Sequence, residues 1–206
     1  GVFVARRRIG VRRRTVVCHL PRQQQGTHPY GRHLLEGVQE GANQHSCDVL
    51  LPSTDGQVDW SAVAGLLVFG FNRLGAEMHR PPHLPTVSLM LHAPGRCAVT
   101  VDERAAAAQL TRYLSGFGHR RIAYLSCDYT PERAYGYREA LAGCGIESDP
   151  HWLRKAFAVT GTSLSEAGYQ AMKQWLDEDW PALGCTALLV HNDDGAEGVL
   201  RALREA

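Results

Sequence analysis

Two kinds of hydrophobic pattern alternate along this chain and predict alternating strands and helices. Short apolar runs bounded by polar or turn-forming residues are typical of strands buried in a parallel sheet. Such runs cover residues 15–20, 47–51, 66–69, 86–91, 97–101, 122–126, 157–159 and 187–190. Between them, apolar residues recur at steps of three and four, the spacing of a helix with one buried face. We predict helices at about residues 30–45 and 195–205, and three more that carry the apolar stripes 107–117, 134–141 and 167–176.

The clearest unit runs from residue 101 to 146 and has the pattern helix, strand, loop, helix. Asp102 can cap the first helix, and the glycines at 116 and 118 can end it. The predicted buried face of this helix consists of Ala107, Leu110, Leu114 and Phe117. In α/β units ligands bind beyond the carboxyl ends of the strands, so the loop after residue 126 is a candidate binding segment. Arg133, at the end of that loop, is its main candidate for a ligand contact.

One crossover is shorter than an α/β pattern requires. Neighbouring parallel strands need a connection of about a dozen residues or more, but only residues 57–64 lie between the turn after residue 51 and the next strand. We predict a turn or two around Trp60 in place of a full helix. The sheet is then either incompletely covered at this point or covered by Trp60 itself.

Composition narrows the class of protein. With 206 residues and 44% hydrophobic content, the chain can bury a sizeable core, as one large domain or two small lobes. No apolar run approaches the length of a membrane span, and no signal-peptide pattern follows the N-terminal arginines, so we expect a cytoplasmic protein. The six cysteines are scattered without a CxxC pair and are predicted to be reduced. His79 and His83 lack metal-ligand spacing, and neither GxGxxG nor a P-loop is present, so we expect no metal and no cofactor.

Positive charge is concentrated at the N-terminus. The net charge is +1, and the six arginines at positions 6–8 and 12–14 leave the remainder at −5. A basic arm beside an acidic domain is typical of a segment that meets a polyanion such as nucleic acid. The alternative is a solvated terminus without a partner.

Two motifs in one order resemble a known family. The first comprises Asp102, the run GHRRIA at 118–123 and the pattern RxxGYRxAL at 133–141; the second is ALLVHNDD at 187–194, followed by GVLRAL at 198–203. Together they are similar to the effector-binding core of the lactose-repressor/galactose-repressor (LacI/GalR) family of bacterial transcription regulators. The resemblance covers nearly all of residues 15–206 and is weakest at 52–65 and 72–96.

The resemblance implies an architecture. We expect an α/β fold of two Rossmann-like lobes with parallel sheets, periplasmic-binding-protein-like and truncated. Residues 1–14 would be a basic hinge-like arm, 15–118 the N-terminal lobe and 119–206 an incomplete C-terminal lobe. The helix-turn-helix head and the C-terminal segments of the family are expected to be missing from this chain.

The resemblance also implies a function. A small polar metabolite, with a sugar as the first candidate, would bind in the cleft between the lobes and alter affinity for operator DNA, which the missing head would contact. The complete protein would be a homodimeric regulator and not an enzyme. The implied ligand contacts are Asp102, Arg133, Asn192, Tyr30 and Arg22, with Gln24 beside them. The implied DNA-phosphate contacts are Arg8, Arg12, Arg13 and Arg14.

The same residues could have purely structural roles, and the fold could serve other functions. Asp102 and Asn192 can serve as helix caps, and Arg133 can be a surface arginine at a helix start. A solute-binding protein of the same fold that serves transport is the alternative function, although it would need a signal peptide. An enzyme could use His119, Cys127 and Asp128, but these lack a nucleophile elbow and a third orienting group.

Overall fold

The computed structural model describes residues 13–20, 29–52, 58–69, 81–90, 97–126, 131–155 and 162–206. The chain divides into two compact units, Gly1–Val101 and Asp102–Ala206. Each has its own parallel sheet and its own core. The α/β prediction with two parallel sheets is confirmed.

The first unit is built on a five-stranded parallel sheet. Its strands are β1 (Arg14–His19), β2 (Cys47–Leu50), β3 (Val63–Phe69), β4 (Thr86–Leu89) and β5 (Cys97–Val99), in the order β2-β1-β3-β4-β5. Its helix α1 (Pro29–Gln44) follows β1. The sequence pattern predicted each of these elements, with ends that differ by one to three residues.

Both faces of this sheet are covered by apolar side chains. On one face, Leu34, Leu35 and Val38 of α1 pack against a cluster that includes Cys18. Burial raises the pKa of the Cys18 thiol to about 11. On the other face, Trp60 packs against the cluster of Val17, Leu66, Val68 and Leu84. The predicted turn around Trp60 is a short 3-10 helix, Trp60–Ala62, so a single aromatic side chain does part of the covering that a crossover helix would do.

The second unit is built on a three-stranded parallel sheet in the order β7-β6-β8. Its strands are β6 (Ile122–Ser126), β7 (Leu153–Lys155) and β8 (Ala187–Val190). Its helices are α2 (Glu103–Gly116), α3 (Pro131–Gly143), α4 (Leu164–Glu178), α5 (Trp180–Leu183) and α6 (Asp193–Arg204). Strand β6 is buried at every position, as expected for the central strand of a sheet with helices on both faces. The core includes Trp175 and Met172, both fully buried.

The predicted buried face of α2 was wrong in part. Leu110 is 51% exposed and Phe117 is 70% exposed, whereas Ala107, Ala108 and Thr111 are buried. The reason is the close approach of α3, whose Gly136 lies so near α2 that a Cβ there would fall 2.0 Å from the Arg104 carbonyl oxygen. Because α2 and α3 approach so closely, only small side chains fit between them, and the large side chains of the predicted stripe lie outside the contact.

One further strand and one helix boundary differ from the prediction. The sequence pattern did not predict β7, which pairs with β6 immediately after a 3-10 turn at Pro150–Trp152. The strand predicted at 157–159 lies outside the described residues. Helix α6 starts at Asp193 and not at residue 195, because Asn192 caps it.

Candidate functional site

The carboxyl ends of β6 and β8 form one edge of the second sheet. The two strands are parallel neighbours, with Leu125 in register with Val190. Helix α3 begins five residues after β6 ends, and α6 begins three residues after β8 ends. Both helix N-termini therefore lie at the edge where ligands bind in open α/β sheets.

Arg133 lies in the first turn of α3 and is ion-paired. Its Nε donates a hydrogen bond to Oε2 of Glu103, the first residue of α2. The pair is largely shielded, since the side chains of Arg133 and Glu103 are 28% and 17% exposed. The sequence analysis missed Glu103, whose only signal was its position directly after the capping residue Asp102.

Asp102 and Asn192 both act as helix caps. The Asp102 carboxylate accepts a hydrogen bond from the Ala105 amide at 2.8 Å, and Oδ1 of Asn192 accepts one from the Gly195 amide at 2.8 Å. Asn192 is half-buried, and its cap does not use the side-chain nitrogen. Because the cap uses only the side-chain oxygen, a cap and a ligand contact are compatible at Asn192.

His191 is a second residue that the sequence analysis missed. Its side chain is buried, with 6% of the residue exposed, and within the described residues neither ring nitrogen has a hydrogen-bond partner. The ring lies against Gly195 in the first turn of α6, where a Cβ would fall 2.7 Å from the His191 Cε1 atom. The available signal was a histidine at the end of an apolar strand, directly before the Asn-Asp pair.

The pKa of His191 is lowered from its ordinary value of 6.5. Burial is the main cause, and the positive charge of Arg133 acts in the same direction. The Leu125 carbonyl and the Asp194 carboxylate oppose the shift. That carbonyl accepts the backbone N–H of His191 at 3.1 Å, and within the described residues neither ring nitrogen meets hydrogen-bond geometry with it.

The remaining predicted contacts belong to the first unit. Tyr30 lies in the first turn of α1, and Arg22 and Gln24 fall outside the described residues. Arg8 and Arg12 also fall outside them. Arg14 opens β1 and is exposed, and Arg13 pairs with Asp48 at 3.1 Å.

The residues considered for enzymatic or metal chemistry do not assemble in the described part of the chain. His119 Nδ1 is hydrogen-bonded to Thr186 Oγ1 at 2.9 Å, a contact between two loops of the second unit, and Cys127 and Asp128 lie outside the description. The described ranges hold no group of three metal-ligating side chains. In the same ranges, no helix has the length and apolar content needed to cross a membrane.

Comparison with known proteins adds to this geometry. Residues 111–206 match the model of the periplasmic binding protein-like domain. The HTH-type transcriptional repressor CytR of Escherichia coli K12 is 28% identical over 197 residues, covering 84% of this chain and 53% of the repressor. A LacI-family regulator of known structure from Sanguibacter keddieii is 26% identical with a TM-score of 0.71, covering 93% of this chain and 71% of that one. This chain has a periplasmic-binding-protein-like fold of the type found in LacI/GalR regulators.

The LacI/GalR-type fold confirms the resemblance drawn from the two motifs. A third similar structure is the complex of the transcriptional regulator CelR with cellobiose, with a TM-score of 0.74 at 22% identity, covering 94% of this chain and 64% of that one. The chain spans about half the length of the repressor CytR. These relatives are transcription regulators and not enzymes.

Proposed function

We propose that this chain is the effector-sensing part of a bacterial LacI-type transcription regulator, and that it binds a small uncharged hydroxylated metabolite, with a sugar as the first candidate. Binding would shift the complete homodimeric protein between states of different operator affinity, which requires only that the effector bind the two states unequally. The observation that carries the proposal is the position of Arg133, Asn192 and His191 at one sheet edge in this fold.

The charges near this edge favour an uncharged ligand. A helix N-terminus by itself attracts anions, but the helix starts here already carry carboxylates. These are Asp102 and Glu103 at α2, Glu132 at α3, and Asp193 and Asp194 at α6. Arg133 is compensated by Glu103. A phosphate or carboxylate ligand would meet this negative set, whereas hydroxyl groups can use both donors and acceptors.

The cellobiose complex of the similar regulator supports the same class of ligand. Cellobiose is an uncharged polyhydroxylated compound, and such ligands are held by side chains that donate and accept in fixed directions. Arginine and asparagine are residues of this kind. Effector class is therefore inferred from two independent lines, the local charge and the ligand of a structural neighbour.

Calorimetric titration of the full chain tests the proposal. The probes are D-galactose, cellobiose and uridine, each uncharged, with D-galacturonate and uridine 5′-monophosphate as charged counterparts of the first and third. We expect at least one uncharged probe to bind and its charged counterpart to bind more weakly. Binding of the charged compounds alone, or of no uncharged probe, would contradict the proposal.

A further inference from the structure

His191 has no evident structural function in the described residues. Among the described residues, both ring nitrogens of this buried imidazole lack a hydrogen-bond partner. A buried polar group without a hydrogen bond lowers stability, and most such groups in folded proteins are paired. The side chain can therefore form two further hydrogen bonds, and its burial without them lowers the free energy of unfolding.

Its surroundings connect it with the effector site. His191 follows β8, and its ring touches Gly195 in the first turn of α6, next to the cap formed by Asn192. Helix α6 has 12 residues, long enough for its N-terminus to carry a partial positive charge. The charged groups that act on the ring are Arg133 of α3 and Asp194 of α6, and the polar group is the Leu125 carbonyl of β6.

We propose that His191 is a specificity-determining residue of the effector site, whose neutral imidazole donates one hydrogen bond and accepts another from neighbouring hydroxyl groups of an uncharged effector. The inference rests on the proposed function and adds to it a residue and a required protonation state. A neutral imidazole suits adjacent hydroxyls, because one nitrogen donates and the other accepts. An anionic effector would instead select the charged imidazolium, which only donates.

The sign of the pH dependence follows from this assignment. Protonation removes the acceptor, so affinity for an uncharged effector falls as the pH drops below the pKa of His191 in the free chain, and it levels off below the pKa of His191 in the complex. The decrease approaches about tenfold per pH unit. Arg133 lowers the pKa of His191 and so moves this loss of affinity to lower pH, whereas Asp194 acts in the opposite direction. An anionic effector would give the opposite sign.

Two variants and a matched control separate a ligand contact from a structural role. His191→Leu keeps a similar volume and removes both nitrogens. His191→Gln keeps a donor and an acceptor but does not titrate. His151→Gln is the control, because His151 is an exposed histidine of the same unit, with a side chain that is 72% exposed.

The experiment measures melting temperature and affinity for the uncharged probe that binds the wild-type chain, between pH 5.5 and 8. We expect His191→Leu to weaken binding about tenfold at pH 7.5, the effect of losing hydrogen bonds to a buried ligand, without lowering the melting temperature. We expect His191→Gln to bind with little dependence on pH. The control should match the wild type in both respects.

The other outcomes are distinct. Unchanged probe affinity in His191→Leu would overturn the inference and leave the proposed function standing. The inference would also be overturned if His191→Gln melted at a lower temperature than the wild type and bound the probe with the same pH dependence as the wild type, because the ring would then be structural. Tighter binding of D-galacturonate or uridine 5′-monophosphate at acidic pH would overturn the required neutral state. Failure of every uncharged probe to bind the wild type would overturn the proposed function itself.

Discussion

Two ion pairs join α2 to α3, and they differ in how far water reaches them. Arg133 pairs with Glu103 at the sheet edge, with both side chains largely shielded. Arg104, the next residue of α2, pairs with Glu139 farther along α3, where both side chains are about half exposed. Exposed pairs contribute little to stability, so the pair of Arg104 and Glu139 is a natural reference for that of Arg133 and Glu103.

Arg133→Lys is expected to weaken binding of the uncharged probe about tenfold with little change in melting temperature. A guanidinium can serve Glu103 and ligand oxygens at once through its planar fork, whereas lysine keeps the charge and loses that geometry. Calorimetric titration gives the affinity and a thermal scan gives the stability. Arg104→Lys in the second pair should leave both unchanged, and equal affinities of the two variants would remove Arg133 from the site.

His191 also predicts how stability depends on pH. Its pKa in the folded chain lies below the value of 6.5 for an unperturbed histidine, so the unfolded chain takes up the proton more readily. The free energy of unfolding is then at its full value above pH 6.5 and falls as the pH drops from 6.5 toward the folded pKa. Urea denaturation from pH 8 to 5 should show the wild type losing more stability than His191→Gln across this window. Parallel curves for the two proteins would contradict the assigned shift.

At the scale of elements, the helix pairs of the second unit are set by glycines. Helix α6 crosses α4 at Gly198, where a Cβ would fall 1.8 Å from the Ser165 carbonyl oxygen and 2.7 Å from the Tyr169 amide nitrogen. A Cβ on Gly168 of α4 would fall 2.3 Å from the Gly195 carbonyl oxygen. Because the clashing atoms are backbone atoms, a side chain can be accommodated only if the helices separate.

Gly198→Ala should therefore destabilise the second unit by about 2 kcal/mol or more, the range for overpacking a close contact. The matched control is Gly37→Ala in the middle of α1, where no atom of the described residues outside the backbone of the helix itself lies within 4 Å of the added Cβ. There the change should stabilise by roughly 0.5–1 kcal/mol, since alanine is the better helix former. Denaturant unfolding measures both, and a stabilising Gly198→Ala would contradict the close packing of α4 and α6.

These glycines also explain what the sequence could and could not predict. Element type followed from hydrophobic spacing, and the glycine-rich end of α2 and the Asn-Asp pair were recognisable motifs. The buried face of α2 was not predictable, because spacing treats Leu110 and Ala107 alike while the approach of α3 admits only the smaller. Glu103 was missed because its partner, Arg133, lies on another helix and is not visible in the sequence. His191 was missed because only the folded unit shows that its ring is buried without a hydrogen-bond partner among the described residues.

At the scale of the whole chain, the two units differ in the size of their cores. The second unit has one continuous buried cluster around Trp175 and Tyr124, whereas the described part of the first has two smaller clusters on opposite faces of its sheet. Buried apolar area is the main source of stability, so from these described clusters we expect the first unit to be the less stable one.

Hydrogen exchange should reflect this difference. Amides of β1 and β3 are expected to exchange at least about tenfold faster than those of β6, which corresponds to an opening free energy lower by roughly 1.4 kcal/mol. Mass spectrometry of peptides from the two sheets measures the rates. Equal protection of the three strands would show that the first unit is as stable as the second.

The buried thiol of Cys18 makes the opening of the first unit measurable by simple chemistry. A thiol with a pKa of about 11 holds almost no thiolate at neutral pH, and thiolate is the form that alkylating reagents attack. Cys97 of the same unit is exposed. Iodoacetamide should therefore modify Cys97 promptly and Cys18 only as fast as β1 separates from its neighbours, so the ratio of the two labelled peptides over time reports how often that sheet opens.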